Sequence, residues 1–427
     1  LRLQGESLEL DTVILAPGGR VSLVASRDDI VLGDAARVDV GGTVLRFFDL
    51  DRAVDGGRIL LQSEEGDVRV ASGAVLDVSA DPLGGDAGSV SLLAPEGEIR
   101  FLGSLEGDAA VGSGGGSLRM ESLGAIDLDA LAGRLDAGGL DGRIAVRSGT
   151  GALRLGAGNT LRAEEISLVA DAEGDGRVEI MGTLDVSGAR AGEISLAGRE
   201  GVLVGGSLLA FAEHAGRSGG TIRLATSAGE GSGTDALFGH RSIDAAQSGD
   251  IRLLASALLD VSGPGGVGFI DIRAPLLADG EIRVDVAPGA AITGARDVSI
   301  EAYATWSTGD ASSGALHFDG LVDPAGAFLA DGAAGPEPAH RAFFQQTLMS
   351  FVENPGFAFG ERLAAIDGLR LRPGIELLND DPARLGGDIL VLSDWNLGAG
   401  RVGADGRLDL DYRLGGTVAP VLTLRAS

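Results

Sequence analysis

A five-residue phrase recurs along the chain: glycine, any residue, an aliphatic, an outward-type residue, a second aliphatic. It reads Gly57-Arg58-Ile59-Leu60-Leu61, Gly88-Ser89-Val90-Ser91-Leu92, Gly142-Arg143-Ile144-Ala145-Val146, Gly192-Glu193-Ile194-Ser195-Leu196, Gly220-Thr221-Ile222-Arg223-Leu224, Gly249-Asp250-Ile251-Arg252-Leu253 and Gly280-Glu281-Ile282-Arg283-Val284. Each copy predicts a glycine turn opening a strand whose alternate side chains face opposite ways. A second alternating phrase lies between copies, in Leu76-Asp77-Val78-Ser79, Leu184-Asp185-Val186-Ser187 and Leu259-Asp260-Val261-Ser262. The glycines step by 31 residues from Gly57 to Gly88, 28 from Gly192 to Gly220 and 29 from Gly220 to Gly249. Such steps indicate an all-β solenoid with loop insertions rather than a strict tandem array. The expected inward residues are Ile59, Val90, Leu92, Ile144, Ile194, Leu196, Ile222, Leu224, Ile251, Leu253, Ile282 and Val284.

Composition agrees with many tight turns around a slim aliphatic core. Glycine supplies 71 of 427 residues and aromatics only 4%. A mean hydropathy of +0.21 gives apolar surface that a disordered acidic chain lacks. The net charge is −28 and every cation outside the four histidines is arginine. That balance repels nucleic acid and anionic membranes and keeps a long surface soluble. Cysteine is absent, which removes disulfides, zinc-thiolate sites and cysteine nucleophiles together. No apolar stretch reaches membrane-spanning length, so membrane insertion is not expected. Neither terminus carries an initiator methionine, a signal-peptide apolar region or a polar cap, and the chain reads as an interior piece of a longer one.

Three segments are expected in chain order: β-helix repeats over 1–302, a non-repeat insertion over 303–368, and a continuation of the repeats over 369–427. Within the first, Arg46 to Arg52 is longer and more aromatic than a solenoid side and is expected to pack back on the rod as a loop. Within the second, Ala339 to Val352 reads as a helix whose Phe344, Leu348, Phe351 and Val352 form one stripe. The helix is expected to lie on the flank of the solenoid, the alternative being a cap over its end.

Leu371-Arg372-Pro373-Gly374-Ile375-Glu376, then Gly387-Asp388-Ile389-Leu390-Val391-Leu392-Ser393-Asp394-Trp395-Asn396-Leu397 and Val421-Leu422-Thr423-Leu424-Arg425-Ala426, resembles a region of the filamentous haemagglutinin-type large exoproteins of Gram-negative bacteria. The Leu-Asp-Val-Ser-Gly phrases also resemble that family's repeats. The resemblance implies a right-handed parallel β-helix, secretion by the two-partner route through an outer-membrane transporter, and a structural or adhesive role at the cell surface. It names no receptor. The family's N-terminal secretion domain is not recognisable in this chain.

Three groups are candidates for chemistry. Gly216-Arg217-Ser218-Gly219-Gly220 has the letters of a hydrolase nucleophile elbow, but a strand phrase follows where a helix is required, and His214, His240, His317 and His340 are scattered. A turn is expected there. Asp77, Asp185 and Asp260 hold one place in their phrases and are read as solvated outward side chains, being too far apart for paired-carboxylate chemistry. Arg223, Arg252 and Arg283 are expected to meet Asp250, Asp271 and Glu281 as surface ion pairs. No catalytic, cofactor or metal residue is assigned. The expected function is a non-enzymatic structural or adhesive shaft, and the alternative is a carbohydrate-active β-helix such as a polysaccharide lyase or epimerase.

Overall fold

The structure is a computed structural model that describes residues 1–229, 233, 240–307, 362–363, 366–383, 385–389, 400–402, 404, 406, 408–410 and 421–426. The chain forms two compact units, one of Leu1–Leu224, Arg252–Ile270 and Pro288–Arg296, the other of Ala225–Ile251, Asp271–Ala287 and Asp297–Ser427.

In the first unit the repeated phrase makes one side of a parallel β-helix. Eight strands stack on this long side: Arg2–Gly5, Arg20–Ala25, Arg58–Ser63, Ser89–Ala94, Ser117–Ser122, Arg143–Ser148, Glu165–Ala170 and Glu193–Gly198. Every neighbouring pair is parallel and in register, so the inward aliphatics fall into columns. One column runs Val21, Ile59, Val90, Leu118, Ile144, Ile166, Ile194, and the next Leu23, Leu61, Leu92, Met120, Val146, Leu168, Leu196. Each of these side chains is buried. Burying one such side chain contributes roughly 1.5–3 kcal/mol, and no single rung could bury its own face without the rungs on either side. All twelve residues expected to point inward are buried.

On the long side the glycines that open the phrases are required by their neighbours rather than by their own dihedral angles. A Cβ on Gly57 would collide with the Gly19 carbonyl oxygen, one on Gly88 with that of Gly57, and one on Gly220 with that of Gly192. The corner of each rung thus sits directly on the corner of the rung before it.

Two short sides complete each turn. On the second side Leu8–Leu10, Ile30–Leu32, Val68–Val70 and Ile99–Phe101 stack in parallel, and on the third Val13–Leu15, Arg37–Asp39, Val75–Asp77 and Ser104–Glu106. Both short sheets stop at this point because a helix, α1 (Leu128–Ala137), replaces the two short strands of the next rung. New short sides then begin at Leu153–Leu155 and Thr160–Arg162. The strand rhythm read from the sequence runs straight through this stretch and misses α1. The helix signals are local: Asp127 caps the helix by accepting from the Ala130 N–H at 3.0 Å, and Leu128, Leu131, Ala132 and Leu135 form one buried stripe. Gly138 follows as the C-cap.

Arg46 to Arg52 does not pack back on the rod as a loop. Thr43–Phe47 and Leu50–Val54 pair as an antiparallel hairpin whose tip projects, with Phe48 98% exposed. Phe48 has φ +57°, a conformation that costs an L-residue about 1–2 kcal/mol, and its exposed ring recovers little of that. Phe48→Gly is expected to leave the fold intact and raise stability by up to about 1 kcal/mol, measured by chemical denaturation. A loss of stability would show that the ring is packed.

In the second unit Ala295–Ser307, Leu369–Asn379 and Val421–Ala426 are parallel and in register. Strand structure therefore runs past residue 302 to Ser307 before the expected insertion. Gly400–Val402 and Leu408–Leu410, within the segment expected to continue the repeats, pair antiparallel rather than in the parallel manner of a solenoid rung. The helix expected over 339–352 lies outside the described residues.

Candidate functional site

Asp77, Asp185 and Asp260 are not solvated outward side chains. Asp77 and Asp185 are buried and Asp260 is half-buried. Each folds back on the turn that ends its strand: Asp77 Oδ1 accepts from the Ser79 N–H at 3.1 Å and Oγ–H at 2.8 Å, Asp185 Oδ1 from Ser187 N–H at 3.0 Å, and Asp260 Oδ1 from Ser262 N–H at 2.9 Å. The recurring Asp-Val-Ser is therefore a corner cap, in which a carboxylate takes up turn donors that would otherwise be unpaired.

Asp185 is also gripped by Arg162, whose Nη2 lies 2.7 Å from Oδ2. Burial works against its charge, but the Ser187 and Arg162 hydrogen bonds outweigh burial and hold the carboxyl below the ordinary aspartate range. A depressed folded pKa contributes stability that is full above the unfolded value, about 4, and is lost as pH falls through the folded value. Asp185→Ala is expected to cost about 1–3 kcal/mol at pH 7 and to flatten the acid limb of stability below about pH 4. An unchanged acid limb would contradict the cap.

The column Asp39, Asp77, Glu106 brings three carboxylates together on adjacent rungs. Arg37 sits among them, its Nη2 2.6 Å from Asp77, 3.2 Å from Glu106 and 3.6 Å from Asp39. Burial and the neighbouring Asp77 raise the Glu106 pKa against the pull of Arg37. One guanidinium thus ties up a column that could otherwise serve as an acid–base pair. Among the described residues no three His, Asp or Glu side chains converge so as to hold a metal ion.

A second ionic cluster is built in the second unit. Arg273 donates from Nη2 to Glu376 at 2.6 Å and from Nε to Glu301 at 3.2 Å, and its guanidinium lies 3.7 Å from the Tyr303 ring centroid. Glu376 also accepts from Thr305 Oγ1 at 3.2 Å and from Arg425 at 3.3 Å, while the Tyr303 hydroxyl donates to the Thr226 carbonyl at 3.1 Å. Burial raises the Glu301 pKa against the pull of Arg273, and burial raises that of Tyr303. Every member is held by another, which makes the cluster a clamp across five successive strands of one sheet rather than a reactive centre.

The third site is an open trough on the outer face of the long side, enclosing about 800 Å³ over the first four strands. Register sets its walls: Arg20 stands opposite Arg58 and Arg58 opposite Ser89, Arg2 opposite Ser22, Ser22 opposite Leu60, and Val24 opposite Gln62. Ser22 and Val24 form a buried floor, and the arginines are exposed. Farther along the same face arginines are paired: Arg119 with Glu121 at 3.0 Å, Arg143 with Glu165 at 2.9 Å, Arg147 with Asp171 at 2.5 Å, and Arg223 with Glu193. Among the described residues Arg2, Arg20 and Arg58 meet no carboxylate at ion-pair distance. Sequence reasoning did not single them out.

The remaining expected sites resolve as follows. Nucleophile-elbow geometry is absent around Ser218, which follows a turn holding Gly216 at φ +79°, forms a parallel bridge with Gly266 and is followed by the strand Thr221–Thr226 rather than a helix, and His214 is exposed. Arg283 meets Asp250 at 3.7 Å but spends its Nη1 on the Ala245 and Ser248 carbonyls, and Glu281 pairs with Arg362. Arg223 pairs with Glu193 on the preceding rung. These contacts define a parallel β-helix protein whose ionic groups run between rungs. Compared with protein-family models, curated proteins and solved structures, the chain matches none. No helix among the described residues is long and apolar enough to cross a membrane.

Proposed function

We propose that the chain is a non-catalytic structural and adhesive shaft segment of a filamentous haemagglutinin-like exoprotein, secreted or held at the surface of a Gram-negative bacterium. The observation that carries this reading is how its carboxylates are used. The clustered ones cap corners or share a guanidinium, as in the Asp39, Asp77, Glu106 column around Arg37. Glycosidic chemistry needs two carboxyl groups free to exchange protons with a sugar about 5–10 Å apart, and a carboxylate already bound by arginine and turn donors is a poor base. The residue resemblance supplies the exoprotein class and, with it, passage through an outer-membrane transporter. The repeat architecture suits a shaft, since rungs add in one dimension without limit from a single core.

The test is to incubate the purified chain with neutral and acidic polysaccharides and follow chain length and new unsaturated ends. The expected result is no change over a buffer control. Turnover abolished by Glu106→Gln or Asp77→Asn would replace this reading with the carbohydrate-active one.

A further inference from the structure

We propose that the trough bearing Arg2, Arg20 and Arg58 is a binding site for a uronate-type acidic polysaccharide. The inference rests on reading the chain as an adhesive, non-catalytic segment, and gives that adhesion a ligand class.

The arginines of the trough stand close together without acidic partners among the described residues. Arginines directly opposite one another on adjacent strands, about 4.8 Å apart, repel, and Arg20 and Arg58 are so placed by register. Elsewhere on this face the fold relieves its arginines with carboxylates from the same or the next rung. Three guanidinium groups that meet no carboxylate at ion-pair distance among the described residues, in a chain of net charge −28, form a local patch of opposite sign, and a guanidinium fork matches a carboxylate with two parallel hydrogen bonds.

The rest of the lining indicates a sugar rather than a protein. Gln4, Gln62, Ser22, Ser89 and Ser91 offer amides and hydroxyls suited to sugar hydroxyls, and Glu64 at the margin adds an acceptor. Protein interfaces are anchored above all by aromatic residues; this lining contains none, and of its aliphatics Val24 and Ile59 are buried. Charge density selects among acidic glycans. A polymer with one carboxylate per sugar matches three arginines, whereas a densely sulfated chain would force extra anions against Glu64 and the acidic surface beyond it. The open, strand-crossing trough admits the middle of a long polymer, not only its end.

The experiment measures binding of the purified chain to polygalacturonate, dextran sulfate, neutral dextran and poly-L-glutamate, by calorimetry at low and physiological salt. The wild-type chain is expected to bind polygalacturonate, more weakly as salt rises. Arg20→Gln/Arg58→Gln is expected to weaken that binding at least tenfold with an unchanged melting temperature, while Arg119→Gln/Arg143→Gln, at paired arginines, leaves it within twofold. Equal binding of dextran sulfate or poly-L-glutamate would overturn the ligand class in favour of general anion attraction. Absence of binding with the polymer intact would overturn the ligand inference alone. Shortened or unsaturated polymer would instead overturn the non-catalytic reading beneath it.

Discussion

Arg273→Ala is expected to destabilise the second unit by about 3–5 kcal/mol, because it takes a cationic partner from both Glu301 and Glu376, which are buried. Glu376 keeps Arg425 and Thr305, but Glu301 loses a hydrogen-bonding partner in a site where burial already disfavours its charge. The loss should therefore shrink as pH falls and Glu301 takes up a proton: an acid whose folded pKa is raised is less costly below that value. Arg273→Lys should recover only part of the stability, since an ammonium cannot match the fork that spans two carboxylates or stack on Tyr303. Chemical denaturation of the three proteins at about pH 5 and about pH 8 checks both claims. A cost below about 1 kcal/mol would show that the cluster is solvated.

Ile222→Ala carries the second large effect. Ile222 is fully buried, and removing its branched side chain is expected to cost about 2–5 kcal/mol through lost burial and the cavity left behind. Arg223, the next residue, faces outward and is half-exposed where it meets Glu193, so Arg223→Ala should cost well under about 1 kcal/mol. Equal losses would mean that the two faces of the strand are assigned the wrong way round.

The aliphatic core was legible because period-two alternation after a glycine fixes which residues face in, and that logic is local. The reason for the glycine was not. Gly88 is demanded by the Gly57 carbonyl one rung away, a contact visible only once the stacking is known. The same holds for the ionic groups. Arg20 and Arg58 are separated in sequence by two short sides and a hairpin, and only register sets them side by side. Asp185 looked like an outward residue in an alternating strand, but it ends its strand and turns back to Ser187. Helix α1 was available in the sequence, through Asp127 and the Leu128, Leu131, Leu135 spacing, and was hidden by a strand rhythm that resumes at Arg143.

Columns of side chains formed by in-register rungs underlie the core, the clamps and the trough alike, and they can be tested by cross-linking. The chain has no cysteine, and Ser167 and Ser195 are register partners on adjacent outward positions of the long side. In a parallel stack their Cα atoms stand about 4.8 Å apart, within disulfide reach. Ser167→Cys/Ser195→Cys should therefore close a disulfide under mild oxidation, giving a single faster-migrating band that reverts on reduction. Ser167→Cys/Ser91→Cys, on strands three rungs apart, should stay reduced. A pair that fails to cross-link while the distant pair does would contradict the stacked, in-register β-helix.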